Sequence, residues 1–264
     1  MPMQLDIGAI KAESRSLLRT GEVNPFRMTL FYLLITLVLD MINSGVSYMI
    51  DSAGGFTVLS FSFVSILVGL VALVLNAGYY CYCFGILRRE EMPYESLFDA
   101  FPFAGKVILL SIVEGVFIFL WSMLFVIPGI IAAYRYFFAI MNLCDNPSLG
   151  VMEALDLSKR QTNGYKGQLF LLSLSFFGWM LLAGAVVMLV EYLIYGSPAV
   201  MLDPAATLMQ VLSLTFVEQG LASLAALYLT PYMHLSFCGF YRAVTSPAEP
   251  PQPQLPQDGW NGSF

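Results

Sequence analysis

Residues Leu120–Pro147, LWSMLFVIPGIIAAYRYFFAIMNLCDNP, decide the fold. An apolar run meets Pro128-Gly129, resumes with Arg135 in its second half, and stops at Asp145-Asn146-Pro147. Two apolar segments joined through a Pro-Gly pair predict two antiparallel membrane helices that turn at Pro128-Gly129. Span three is expected over 106–127 and span four, a shorter piece, over 129–144. The alternative is one long helix kinked at Pro128. It would put the basic segment 159–166 on the outer side of the membrane, and we set it aside for that reason.

Composition points the same way. The chain has 264 residues, of which 58% are hydrophobic and 11% charged, and its mean hydropathy is +0.74. A soluble chain carries about 25% charged residues, so this one has too few polar groups to cover a water-facing surface. Lipid as the solvent removes the difficulty. The length accommodates an all-α, polytopic bundle of about six spans plus amphipathic interfacial helices.

Before the central stretch, span one is expected over 26–50 and span two over 56–87. Span two is too long to stand upright, which predicts tilt or protruding ends. Asp40, Asn43, Ser44 and Ser47 form one polar stripe on span one. Residues 93–104 are short for a span and predict an interfacial helix with Tyr94, Leu97, Phe98 and Phe101 on one face. After the central stretch, 147–164 predicts another amphipathic helix. Pro147 sits at its first position, Gly164 lies just past its end, Asp156 and Arg160 form an i, i+4 pair, and Leu149, Met152 and Leu155 face lipid. Span five follows over 166–195. Span six covers 205 to about 241 with a kink at Pro231, and Ala222, Ala225 and Ala226 give it a small face for close helix approach.

Three domains result: a basic segment 1–25, a six-span membrane domain 26–244, and a Pro-rich tail 245–264. Lys11, Arg15 and Arg19 lie four apart among Ile7, Ile10, Leu17 and Leu18. That pattern fits either a basic amphipathic helix on the membrane surface or an ordinary leader. The tail is either a polyproline ligand or a plain solvated extension. No secretory signal precedes span one.

The basic residues give the threading. Lys11, Arg15, Arg19 and Arg27 precede span one; Arg88, Arg89 and Lys106 separate spans two and three; Lys159, Arg160 and Lys166 separate four and five; Arg242 ends six. The alternate loops, 51–55 and 196–204, hold no Lys or Arg. Both termini are therefore expected in the cytoplasm and Pro128-Gly129 outside.

Four ionisable residues fall inside the spans: Asp40, Glu114, Arg135 and Glu218. Buried charges are costly and pair with one another. Arg135 is the only cation, with Glu114 its first expected partner and Asp40 and Glu218 as alternatives. The network is either a polar pathway for a proton, ion or headgroup, or a clamp that fixes helix register, and we favour the clamp. The formal net charge of −6 argues against nucleic acid. The four cysteines lie in or beside apolar runs and are expected to pack as small apolar side chains. His234 is the single histidine, which excludes a paired-histidine zinc site. No catalytic motif, metal site or cofactor-binding loop is present in the sequence.

The segment from Leu124 to Leu182, taken with Leu229–Val244, resembles the DUF975 family of bacterial membrane proteins. The matching pieces include Ile127-Pro128-Gly129-Ile130, Asp145-Asn146-Pro147, Gly164, Phe176-Phe177-Gly178-Trp179, Pro231-Tyr232 and Phe240-Tyr241. It is also distantly similar to the membrane domain attached to some glycerophosphodiester phosphodiesterases. The resemblance implies a helical integral protein of the bacterial cytoplasmic membrane with no established activity. An acidic residue is expected soon after Phe240-Tyr241, and Arg242-Ala243-Val244 stands there instead.

Three functions compete. The first is a non-enzymatic module that binds membrane lipids, or a membrane protein partner or second copy of itself. The second is a small transporter using the buried charges, and the third a lipid-modifying enzyme.

Overall fold

The computed structural model describes residues 5–20, 25–52, 56–195 and 208–246. Every regular element among them is helical: α1 Ile7–Thr20, α2 Pro25–Ser52, α3 Phe56–Leu87, α4 Ala104–Leu124, α5 Val126–Tyr136, α6 Ala139–Asp145, α7 Val151–Gln161, α8 Lys166–Tyr195 and α9 Leu208–Thr245, with two short 3₁₀ turns at Tyr94–Phe98 and Phe101–Phe103. Six segments are long and apolar enough to cross a membrane: Pro25–Met49, Ser62–Leu87, Tyr94–Leu124, Val126–Asp145, Lys166–Val190 and Thr215–Thr245. Helices satisfy their backbone hydrogen bonds internally, which lipid demands of any spanning segment. The all-α bundle is therefore as expected. The expected Pro-rich tail and the loops at 196–204 lie outside the described residues, apart from the first two tail positions.

The central stretch folds as an antiparallel pair, but the chain does not reverse at Pro128-Gly129. The reversal falls at Phe125, whose backbone is extended (φ −162°, ψ 155°) between α4 and α5. Pro128 is the third residue of α5, where the N–H that proline lacks would have had no intrahelical partner. Gly129 has a different task. A Cβ there would lie 2.1 Å from the Ser122 Oγ and 3.0 Å from its Cα, so α4 and α5 touch at this glycine.

The expected fourth span is broken a second time. α5 ends at Tyr136 and α6 begins at Ala139. α7 covers the gap. The buried Ser158 hydroxyl accepts from the Phe138 N–H at 3.1 Å and donates to the Arg135 carbonyl at 2.9 Å, and Thr162 Oγ1 donates to the same carbonyl at 3.3 Å. α7 is thus a part of the bundle. Leu155, expected to face lipid, is fully buried with Ala154 against α4, α5 and α6, while Met152 is exposed. α7 also starts later than expected. Asn146 Oδ1 accepts from the Ser148 N–H and hydroxyl, closing a turn around Pro147, and the helix begins only at Val151. Asp156 pairs with Lys159 at 2.6 Å, not with Arg160. Gly164, with φ 88°, lies in the reversal between α7 and α8.

Residues 93–104 are 3₁₀ turns, not an interfacial helix. Pro102 removes a donor and would clash with the carbonyl four residues back, which disfavours a continuous α-helix here. Leu97 is fully buried, whereas Tyr94, Phe98 and Phe101 are exposed. The Leu97 carbonyl approaches α3 so closely that a Cβ on Gly78 would lie 1.8 Å from its oxygen. Pro231, by contrast, lies inside α9 without ending it.

The core is concentrated at the end of the bundle where α1, α2, α3, α6, α8 and α9 meet. Tyr79, Tyr82, Phe138, Phe176, Phe240 and Met28 are fully buried there. Lipid tails are as apolar as these side chains, so the gain from burying them is close packing rather than escape from water. The thiols join this packing: Cys83 faces Cys238, and Cys81 faces Cys144. Towards the other end, large apolar side chains on α3, α4, α8 and α9 are exposed, among them Phe63, Phe119, Met188 and Leu224.

Candidate functional site

α1 is held by specific bonds. Asp6 Oδ1 accepts from the N–H groups of Gly8 (2.8 Å) and Ala9 (3.1 Å), capping its first turn. Ile10, Ser14 and Leu18, four apart, are buried and form its inner face, which packs mainly on α9. Glu13 pairs with Arg242, and the Leu5 N–H donates to Gln168 Oε1 at 3.2 Å. These contacts turn Lys11 and Arg15, one turn apart, towards the seam between α8 and α9. The Lys11 ammonium donates to the Ser175 hydroxyl and stands 4.4 Å from the centre of the Phe176 ring. The Arg15 guanidinium stands 5.9 Å from the centre of the Tyr232 ring. Burial, and the neighbouring Arg15 charge, push the Lys11 amine below the usual lysine value.

Beyond these two cations α8 and α9 part. The crevice between them has a volume of about 750 Å³, within the range of ligand cavities. Trp179, Leu182, Val186, Leu221, Ala225 and Tyr228 are among its walls, and among the described residues Lys11 and Arg15 are its only charged lining. Ala225 therefore lines a space. Ala222 and Ala226 likewise line a second cavity of about 420 Å³ with Glu218 and Gln219.

A polar cluster closes the same end of the bundle. Asn142 exchanges hydrogen bonds with Gln161 (3.0 and 2.9 Å) and accepts from the Tyr241 hydroxyl at 2.9 Å. Arg88 pairs with Asp145. Arg242 donates to the Leu87 carbonyl at 3.0 Å. The Lys106 ammonium donates to the carbonyls of Pro147, Ser148 and Leu149. These basic residues, separated in sequence, gather at one end and are used as struts between helices.

The four intramembrane charges lie on different helices: Asp40 on α2, Glu114 on α4, Arg135 on α5 and Glu218 on α9. Asp40 lines a crevice between α2 and α3 with Tyr32, Thr36, Asn43 and Ser65. Glu218 lines the second cavity between α8 and α9. Among the described residues no ion pair includes Arg135, Glu114 or Asp40. The reason lies in the register of the α4–α5 pair. Gly129 meets Ser122 and the Tyr136 ring stacks on Phe117 at 5.7 Å, which brings Glu114 level with the 137–138 gap. Arg135 lies about one turn away, in the last turn of α5. Its charge acts instead on Asp156, whose carboxyl is held below the usual value, first by the hydrogen bond and charge of Lys159 and to a lesser extent by Arg160 and Arg135.

Residues 123–248 match the model of the family described as Protein of unknown function (DUF975). No curated protein and no solved structure matches the chain. The matched segment runs from the end of α4 past the end of α9 and contains Pro128, Gly129, Asn146, Pro147, Gly164, Trp179, Pro231 and Tyr232. Pro128 and Gly129 shape the α4–α5 pair, Asn146 and Pro147 form the turn that Lys106 holds, and Trp179 and Tyr232 border the crevice. Lys11 and Arg15 precede the matched segment.

The sequence signalled Lys11 and Arg15 only as a basic stripe. The hydroxyl bridge of Ser158 and the Asn142–Gln161 exchange had a fainter signal, small polar residues on the inner face of an amphipathic segment. The parting of α8 and α9 has no local sequence signal at all.

Proposed function

We propose that this protein is a non-enzymatic, multi-pass membrane module that holds a membrane lipid between α8 and α9. The observation that carries the reading is the crevice of about 750 Å³ with apolar walls. It runs along helix faces whose outer residues, such as Trp179, Leu182 and Leu224, are exposed on segments long and apolar enough to span a membrane, which would let an acyl chain enter sideways without crossing water. Among the described residues Asp40, Glu114 and Arg135 form no ion pair, so the reading does not rest on a shared charge cluster. The basic residues gathered at one end support threading through a bacterial cytoplasmic membrane with both termini inside.

The experiment is native mass spectrometry of protein purified in mild detergent. The wild type retains lipid adducts, and Ala225→Trp, which fills the crevice, removes them. Equal adducts on both would overturn the reading.

A further inference from the structure

We propose that the crevice selects anionic phospholipid over zwitterionic phospholipid, with the lipid phosphate seated between Lys11 and Arg15. The proposal rests on the reading of the crevice as a lipid site and adds the headgroup.

Two positive charges one helical turn apart repel each other, and a carboxylate normally accompanies such a pair. None does here. The nearest acids on α1 are engaged elsewhere: Glu13 pairs with Arg242, and Asp6 caps the backbone of α1 itself. Among the described residues neither Lys11 nor Arg15 takes part in an ion pair. The Arg15 Nε donates to the Lys11 carbonyl at 3.4 Å and the guanidinium also hydrogen-bonds the Tyr232 hydroxyl; its five-donor fork has N–H groups beyond these two contacts. An oxyanion between them would accept from an ammonium and a planar fork, the donor pair that suits phosphate.

The position of the two cations fixes the source of the phosphate as a lipid. They stand at the end of a cavity whose other walls are apolar, flanked by Trp179, Tyr228 and Tyr232. Amphipathic rings of this kind sit at the boundary between headgroups and acyl chains. A phosphate held there has its glycerol and chains directed into the crevice.

Charge then decides between headgroups. Every phospholipid offers a phosphate, but choline and ethanolamine headgroups also carry a cation. Among the described residues the crevice lining has Lys11 and Arg15 and no carboxylate to receive that cation. A phosphatidylglycerol headgroup brings no positive charge to the site.

The test titrates delipidated protein in detergent with dioleoyl phosphatidylglycerol and, separately, dioleoyl phosphatidylcholine, and reads bound lipid by native mass spectrometry. The expected preference is about tenfold for phosphatidylglycerol, the order seen when basic residues meet anionic lipid. Lys11→Gln with Arg15→Gln removes the preference and leaves phosphatidylcholine binding unchanged. Lys11→Arg with Arg15→Lys keeps the preference, because charge and not the Ser175 contact sets it. Ala225→Trp lowers binding of both lipids. If the wild type binds both lipids equally and Ala225→Trp still lowers both, the headgroup inference falls while the crevice reading stands. If Ala225→Trp leaves both titrations unchanged, the crevice reading falls and takes this inference with it.

Discussion

The Ser158 hydroxyl donates to the Arg135 carbonyl at 2.9 Å across the gap that separates α5 from α6. The same oxygen accepts from the Phe138 N–H, so one side chain on α7 serves both sides of a broken helix.

Ser158→Ala leaves the Phe138 N–H buried without an acceptor, which costs about 1–3 kcal/mol. Thr162→Val removes only one of two donors to the Arg135 carbonyl and should cost about 0.5–1.5 kcal/mol. Thermal unfolding in detergent ranks the two variants, and a Thr162→Val protein less stable than Ser158→Ala would contradict the bridge.

Gly78→Ala forces a methyl group into the Leu97 carbonyl, which is backbone and has no rotamer with which to yield. Overpacking of this kind costs about 1–3 kcal/mol. Gly115→Ala, with nothing within 4 Å of the new Cβ, should be neutral or stabilising by roughly 0.5–1 kcal/mol. Melting temperatures of the two variants should therefore move in opposite directions or not at all for Gly115.

Arg135→Met and Glu114→Gln should act independently. Residues without a shared contact add to within about 0.5 kcal/mol, so the double variant in detergent should show the sum of the single effects. Rescue of one substitution by the other would mean that the two side chains pair after all.

Lys11 should react with acylating reagents in mildly alkaline buffer faster than an ordinary lysine. Its amine is pushed down by burial and by Arg15, so at a given pH more of it is neutral and nucleophilic. A bound phosphate favours the ammonium and reverses the sign. Peptide mapping with and without phosphatidylglycerol should show Lys11 labelling slowed by the lipid; labelling of Lys11 that is slow without lipid would refute the environment described for it.

Reporter fusions after residues 53, 128 and 200 should read one side of the membrane, and fusions after 90, 160 and 248 the other. Residues 128 and 160 reporting the same side would break the six-span threading.

Hydropathy made the six spans legible because the need to satisfy backbone groups in lipid imposes a length that shows in the sequence. It could not place the turns. A Pro-Gly pair looks like a reversal, yet Pro128 is tolerated in the first turn of α5 and Phe125 takes the extended conformation instead. That shift of a few residues, with the unforeseen gap at 137–138, is why Arg135 and Glu114, expected as partners, lie about one turn out of register. Tyr94, Leu97 and Phe98 fall on one helical face, and the pattern concealed that Pro102 weighs against a continuous α-helix, where two 3₁₀ turns form instead. The crevice was invisible for a different reason. Periodicity reports which side of a helix is apolar, and α8 is apolar on nearly every side, so nothing in its sequence says where α9 leaves it.

The docking of α1 and α2 on α9 bears on biogenesis. They precede the other described helices in sequence, and their main partner, α9, follows them all. α2 can rest against α3 in the meantime, but α1 has no comparable companion until α9 has been made. Insertion can proceed helix by helix, whereas closure must wait for α9. A nascent chain arrested before α9 would thus carry seven helices, α2 to α8, in the bilayer or at its surface, and an amphipathic segment with nowhere to dock, which is the form a membrane quality-control protease is equipped to detect.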